Sequence, residues 1–271
     1  MDARKLVKAG KHSNSISLPK AWLTKHGLKT GDSVYLIEGQ HDLTVTPLPT
    51  APTIAIKEKT IEIGNKQIET VRRELTSAYI NNYGIIHFTQ VKNPEQITTI
   101  IKDFAGLEVV EQSEAHVSAK DLLNLAEINI DQSVRRMDMI IRTLFKEEEE
   151  REGDLNRTYF LLYRLLKGAI SDQKMADALS LKKENTISIW SIITNLEDIG
   201  DVLKTIKKKE MLAEIEKHYL NAMKAYFTKD KLLAEQVLSK WHEAIEKNKS
   251  EQIRDIATRI NNIARIVLDM D

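Results

Sequence analysis

The spacing of apolar positions changes period along the chain, and each change marks an element. Ser15–Ile16–Ser17–Leu18 alternates polar and apolar residues, the pattern of a half-buried strand, and Pro19 ends it. Lys20 to His26 carries Ala21, Trp22 and Lys25 at helical spacing, with Gly27 placed to close the helix. Thr30–Gly31–Asp32 has turn chemistry. Val34–Tyr35–Leu36–Ile37 then reads as a strand, Glu38–Gly39–Gln40–His41–Asp42 as a hairpin turn, and Leu43–Thr44–Val45–Thr46 as the returning strand. With a further strand ahead of residue 15, the predicted order within residues 1–50 is strand, strand, helix, strand, strand. A unit this short cannot comfortably bury a core of its own, so the pattern predicts that two chains share one.

Strand and helix periods alternate beyond residue 53. Thr53 to Ile63 reads as two short strands through Ile54, Ile56, Ile61 and Ile63. Lys66 to Asn82 reads as a helix through Ile68, Val71, Leu75, Ala78 and Tyr79, and Ile85–Ile86–His87–Phe88 as a buried strand. Pro94 opens a helix through Ile97, Ile100, Ile101 and Phe104; Gly106 ends it, and Leu107–Glu108–Val109–Val110 is a further strand. This alternation predicts a small α/β connector over residues 53–117. His87 and His116 stand in it as single histidines without partners at ligand spacing, read as structural.

From Ser118–Ala119–Lys120–Asp121 onward the period is helical. Leu122, Ala126, Ile130, Val134, Met137, Ile141 and Leu144 form one stripe, and Leu155 to Ala169 and Ile189 to Leu203 give two more. Three further helices read over residues 212–227, 232–245 and 253–268. Grouped as three plus three, they predict a duplicated three-helix unit in an antiparallel bundle over 118–271.

Composition sharpens this division. The last proline is Pro94, and only Gly153, Gly168 and Gly200 follow Gly106, a distribution suited to helices. Pro47–Leu48–Pro49–Thr50–Ala51–Pro52 reads as an extended linker. The 40 Lys and Arg balance 40 Asp and Glu overall, yet residues 1–30 hold seven cations against Asp2 alone, a net of +6 before His12 and His26 are counted. Acids gather downstream, most densely at Glu147–Glu148–Glu149–Glu150. With no cysteine, a disulfide scaffold, thiolate metal sites and a cysteine nucleophile are excluded. The longest near-apolar stretch, Tyr159 to Leu166, is interrupted by Arg164 and falls far short of the roughly 18 residues of a membrane helix. Met1–Asp2–Ala3–Arg4–Lys5 shows no apolar signal region, so the expected location is the cytoplasm.

Lys8–Ala9–Gly10, Ser15–Ile16–Ser17–Leu18–Pro19–Lys20, His26–Gly27–Leu28 and Lys29–Thr30–Gly31–Asp32–Ser33–Val34 follow one another at a characteristic spacing. Residues 3–47 thereby resemble an AbrB/SpoVT-type swapped-hairpin DNA-binding domain. The resemblance implies that two chains interlace into one β-barrel whose basic face holds double-stranded DNA. It nominates Arg4, Lys5, Lys8, Lys11, Lys20 and Lys25, with Asn14 and Ser13 as polar helpers. Lysines neutralise phosphates but read guanine less well than arginine does, so affinity from phosphates with modest base readout is expected.

In the helical region, Gly200 falls within the apolar stripe of Ile193, Leu196 and Leu203, where a neighbouring helix can approach closely. Glu197 and Asp201 lie one turn apart on the edge of that stripe, with Asp198 pointing away. Glu150 and Asp154 form a similar pair on the preceding helix. Four such carboxylates suit a hard cation: Mg, Ca, Mn or Fe. The Leu196–Glu197–Asp198–Ile199–Gly200–Asp201 segment resembles the L-E-R-I-G-D of the PhoU family of phosphate-uptake regulators, supported by Glu150–Arg151–Glu152–Gly153–Asp154. In the second half Asn261, Asn262 and Arg265 take the corresponding places, which argues against a second metal cluster. Glu251 and Asp255 repeat the spacing about two turns too early, and Glu127 and Asp131 sit further towards a polar face.

Taken together, the resemblances imply a multidomain α+β protein: an AbrB-like head over 1–50, the connector over 53–117 and a PhoU-like helical bundle over 118–271. They imply a homodimeric transcriptional regulator of phosphate uptake, not an enzyme, whose bundle senses metal, phosphate or a partner. The alternative they leave open is a signalling adaptor contacting a phosphate transporter or sensor kinase, with the head serving only to dimerise. A metal-dependent hydrolase is disfavoured, since no nucleophile or positioned base is evident.

Overall fold

A computed structural model of the chain describes residues 3–11, 13–38, 43–47, 56–146, 152–206, 212–240 and 250–270. The chain divides into two compact units, Met1–Ile56 and Lys57–Asp271.

In the first unit, strand β1 (Val7–Lys8) pairs antiparallel with β2 (Asn14–Ser15), placing Lys8 opposite Asn14. Helix α1 (Lys20–Lys25) follows Pro19. Its end is a Schellman closure: the Leu28 amide donates to the Leu23 carbonyl at 2.9 Å and the Gly27 amide to that of Thr24 at 3.2 Å, with Gly27 left-handed at φ 65°. Strands β3 (Tyr35–Glu38) and β4 (Leu43–Thr46) form a second antiparallel pair. The two hairpins are separate two-stranded sheets, so the described residues of one chain form no closed barrel. The strand expected through Leu18 stops at Ser15, where no other strand among the described residues extends its ladder. Residues 48–52 of the expected linker and 39–42 of the expected turn lie outside the described residues.

The second unit begins with a four-stranded sheet in the order β5-β6-β8-β7. Strand β5 (Glu58–Glu62) runs parallel to β6 (Ile85–Thr89), joined through helix α2 (Ile68–Ile80). Helix α3 (Pro94–Ile101), capped by the Asn93 side chain accepting from the Gln96 amide, leads to β7 (Leu107–Gln112). Strand β8 (His116–Asp121) lies antiparallel between β6 and β7. Two expectations are corrected here. The described part of residues 53–63 holds one strand, not two. Residues 118–121 finish a central strand instead of opening a helix: Val117 and Ala119 alternate into the core, where they meet Ile86, Phe88, Leu75 and Phe104. The helix expected at Ser118 begins at Ile130, after Asn129 caps it.

Helices α4 (Ile130–Leu144), α5 (Glu152–Ser171), α7 (Lys183–Thr205), α8 (Ala213–Thr228), α9 (Lys231–Ser239) and α10 (Glu251–Asp269), with the short α6 (Gln173–Ala178), pack around one large apolar cluster. The apolar stripes read from the sequence account for it: Val134, Met137, Ile141, Leu155, Leu162, Ile193, Leu196, Ile256 and Ile260 are all buried. Gly200 does permit close approach, since a Cβ there would stand 2.1 Å from Leu155 Cδ2 on α5. The sheet layer is tied to this bundle by Arg164 of α5, which is buried, pairs with Asp121 and donates to Asn82 Oδ1 at 2.8 Å. Its guanidinium also lies over the Tyr79 ring at 4.7 Å.

Candidate functional site

The basic residues singled out at the N-terminus are carried by a hairpin and one short helix. Lys8 and Asn14 face each other across β1 and β2, Lys11 sits at the turn between them, and Arg4 Nη1 reaches Ser17 Oγ at 3.5 Å. Lys20 and Lys25 are the first and last residues of α1. All six cations, with Asn14 and Ser13, are exposed. Among the described residues, no carboxylate pairs with Lys5, Lys8, Lys11, Lys20 or Lys25. Asp32 is engaged locally, accepting from the Lys29 amide at 2.6 Å. The hairpin thus presents unneutralised charge, which is what a polyanion backbone requires.

The apolar side of this unit is equally telling. None of its described residues is buried: Leu6 is 70%, Val7 61%, Leu36 62% and Leu43 54% exposed. Alternating strands that leave their apolar members in water lack the surface they were built to meet.

The carboxylates of the bundle are arranged differently. Glu197 is half-buried on α7 beside Asp201 and Asp198; burial, then the charge of Asp201, pushes its carboxyl up to about 7. Asp201 is exposed and accepts from Lys204 Nζ at 2.7 Å. Asp198, expected to point away from that edge, is engaged by the last helix. It meets Arg259 Nη1 of α10 at 2.5 Å, and the same guanidinium donates from Nε to Asp255 at 3.2 Å, so two helices are bridged. Burial raises Asp198, against the pull of Arg259. Asp154 Oδ1 lies 3.6 Å from Arg136 Nη2, and Glu150 lies outside the described residues. Glu197 and Asp201 therefore stand together while Asp154 has a cation of its own. No three Asp, Glu or His side chains among the described residues converge on a metal position. Asn262 of α10 donates to Asn195 Oδ1 of α7 at 3.2 Å, an amide pair between the same two helices.

One cluster escaped the sequence. His87 and His116 are not isolated: both rings reach Ser118 Oγ, from His87 Nδ1 at 2.9 Å and His116 Nε2 at 2.7 Å, and stack at 5.7 Å between centroids. Glu58 Oε2 is 3.7 Å from His87 and Glu111 Oε2 4.0 Å from His116. Strand pairing sets His87 against Ser118 and makes His116 its diagonal neighbour, a relation invisible without the register. One hydroxyl proton cannot serve two acceptors, so at least one imidazole donates to Ser118.

No helix among the described residues is long and apolar enough to cross a membrane. Comparison with curated proteins and with solved structures found no match to this chain. Residues 9–53 match the family described as "Antidote-toxin recognition MazE, bacterial antitoxin", so the N-terminal unit carries a MazE/AbrB-type domain.

Proposed function

We propose that the protein is a cytoplasmic, homodimeric, DNA-binding transcription regulator, in which two N-terminal hairpin units complete one another as an interlaced barrel and hold duplex DNA on their basic face. The observations that carry this reading are lysines at exposed hairpin and helix positions that meet no carboxylate among the described residues, and the exposed apolar side chains of Val7, Leu36 and Leu43. Arg4, Lys5, Lys8, Lys11, Lys20 and Lys25 contact phosphates, with Asn14, opposite Lys8, and Ser13 as polar helpers. An electrophoretic mobility-shift assay tests it. With about half of the dimer's twelve cations each neutralising a phosphate, log affinity falls against log salt with a slope of about −5. Lys8→Glu with Lys11→Glu abolishes the shift; binding unchanged by the double variant, or by salt, refutes the interface.

The regulated process is proposed to be phosphate uptake, on the strength of the Leu196–Glu197–Asp198–Ile199–Gly200–Asp201 segment and its PhoU-like register. The helical region then acts as the sensor, without catalysis, by binding an effector better in one conformation than in another. A hard divalent or iron cation held by Glu150, Asp154, Glu197 and Asp201 is part of this proposal. It would relieve the repulsion between Glu197 and Asp201. Elemental analysis checks it: bound metal is lost in the Glu197→Ala, Asp201→Ala double variant, and a metal-free parent protein refutes the role. The adaptor reading, with a phosphate transporter or sensor kinase as partner, prevails if the chain dimerises yet ignores duplex DNA at every salt concentration.

A further inference from the structure

A cleft of ≈ 540 Å³ runs between α2 of the sheet layer and α5 of the bundle, within the second unit. Helical spacing creates both walls: Arg73, Ser77 and Ile80 line up along α2, and Phe160, Tyr163 and Lys167 along α5. Its lining holds three cations, Arg72, Arg73 and Lys167, and no carboxylate. Arg72 is neutralised from behind by Asp103 of the α3–β7 connection. The other two are not. Lys167 Nζ donates to Asn81 Oδ1 at 2.9 Å, across the cleft, and Arg73 Nε to the Glu69 carbonyl at 3.1 Å; neither meets a carboxylate among the described residues. Each keeps donors for a further acceptor.

The α5 wall is aromatic. Phe160 stacks on core Phe104 at 5.7 Å between centroids, and Tyr163 sets its edge against Trp190 at 4.4 Å. Both rings are held from behind, half-buried, and line the cleft. Thr76 and Ser77 add hydroxyls on the opposite wall. Two unneutralised cations and two braced aromatic rings ask for a ligand that is both flat and polyanionic. A bare anion leaves the rings unused, an uncharged aromatic leaves Arg73 and Lys167 unused, and a metal ion is repelled. The volume suits a small organic ligand of nucleotide size.

We propose that this cleft is a binding site for a nucleoside phosphate, with the base against Phe160 and Tyr163 and the phosphates between Arg73 and Lys167. Such a ligand bridges the sheet layer and the helices, so its binding stabilises the junction that Arg164 also holds. The site is independent of the DNA-binding reading, because the chain binds the nucleotide whether or not its N-terminal unit binds a duplex.

Isothermal titration of the full chain with AMP, ADP, GMP, GDP, adenosine and inorganic phosphate tests the site. At least one nucleotide binds with a Kd of about 100 μM or tighter, and adenosine and phosphate bind about tenfold or more weakly. Arg73→Gln and Lys167→Gln each lose about tenfold in nucleotide affinity while melting as the parent does. Tyr163→Leu weakens the nucleotide but leaves phosphate unchanged. If no nucleotide binds below about 1 mM, if phosphate binds as tightly as the nucleotides, or if both cation variants bind like the parent, the proposal is overturned.

Discussion

The two units of this chain solve the same problem in opposite ways. Lys57–Asp271 closes on itself: Phe88, Tyr79 and Phe104 fill the sheet layer, while Met137, Leu162 and Ile193 fill the helices, all essentially without solvent contact. Met1–Ile56 has strands, a well-closed helix and turn glycines, yet none of its described side chains is buried. Local sequence signals suffice to make secondary structure in both. Only the second unit has enough chain to bury its apolar faces from within. Under the proposed function, the first unit's exposed apolar strand positions are covered by a second copy of the chain.

Perturbing one unit at a time sharpens the contrast. The largest effect is expected from Leu36→Asp, which places a charge on an exposed apolar strand position of the first unit. By light scattering the dimer dissociates with a Kd raised about 100-fold or more, while the melting of the helical region is unchanged. Arg164→Leu comes next. It leaves Asp121 largely buried without its partner and costs about 3–5 kcal/mol of stability in the second unit, read by chemical denaturation, with dimerisation intact.

Gly200→Ala is smaller. Its new methyl meets the fully buried Leu155, costing about 1–3 kcal/mol, of which roughly 1 returns through helix propensity, so thermal melting falls by a few degrees. The smallest effect concerns pH. His218 is buried on α8, with Asn261 of α10 and the Lys240 charge near it, and burial lowers its pKa below the ordinary 6.5. The unfolded chain therefore binds a proton that the folded one resists. Stability from this group is complete above pH 6.5 and declines as pH falls through that value. Between pH 7.5 and 5 the melting temperature drops more in the parent than in His218→Gln.

How much was legible in the sequence follows the range of the interactions. The helices were readable because Ile130, Val134, Met137 and Ile141 repeat at 3.6 residues and all face one cluster. Gly200 was readable for the same reason. Strand β8 was not: Ser118–Ala119–Lys120–Asp121 lacks β-branched residues, begins like a helix cap, and becomes a strand because β6 and β7 pair with it on both sides. The His87–Ser118–His116 cluster was hidden with it. The pairing of Asp198 with Arg259, separated by 61 residues, needed the packing of α7 against α10. Of the candidate site, the exposure of the basic residues and the adjacency of Glu197 and Asp201 were legible. Their surroundings were not, since charge neutralisation by Lys204 depends on rotamers and that by Arg136 on a neighbouring helix.

In the proposed regulator the first unit is completed by its own copy and grips a polyanion once complete. Fluorescence-anisotropy titration of a labelled promoter duplex with the full chain, at 50 and 200 mM salt, addresses both parts together. The expected result is saturation at two chains per duplex and a Kd about 10³-fold weaker at the higher salt. Saturation by single chains, or an affinity indifferent to salt, would contradict it.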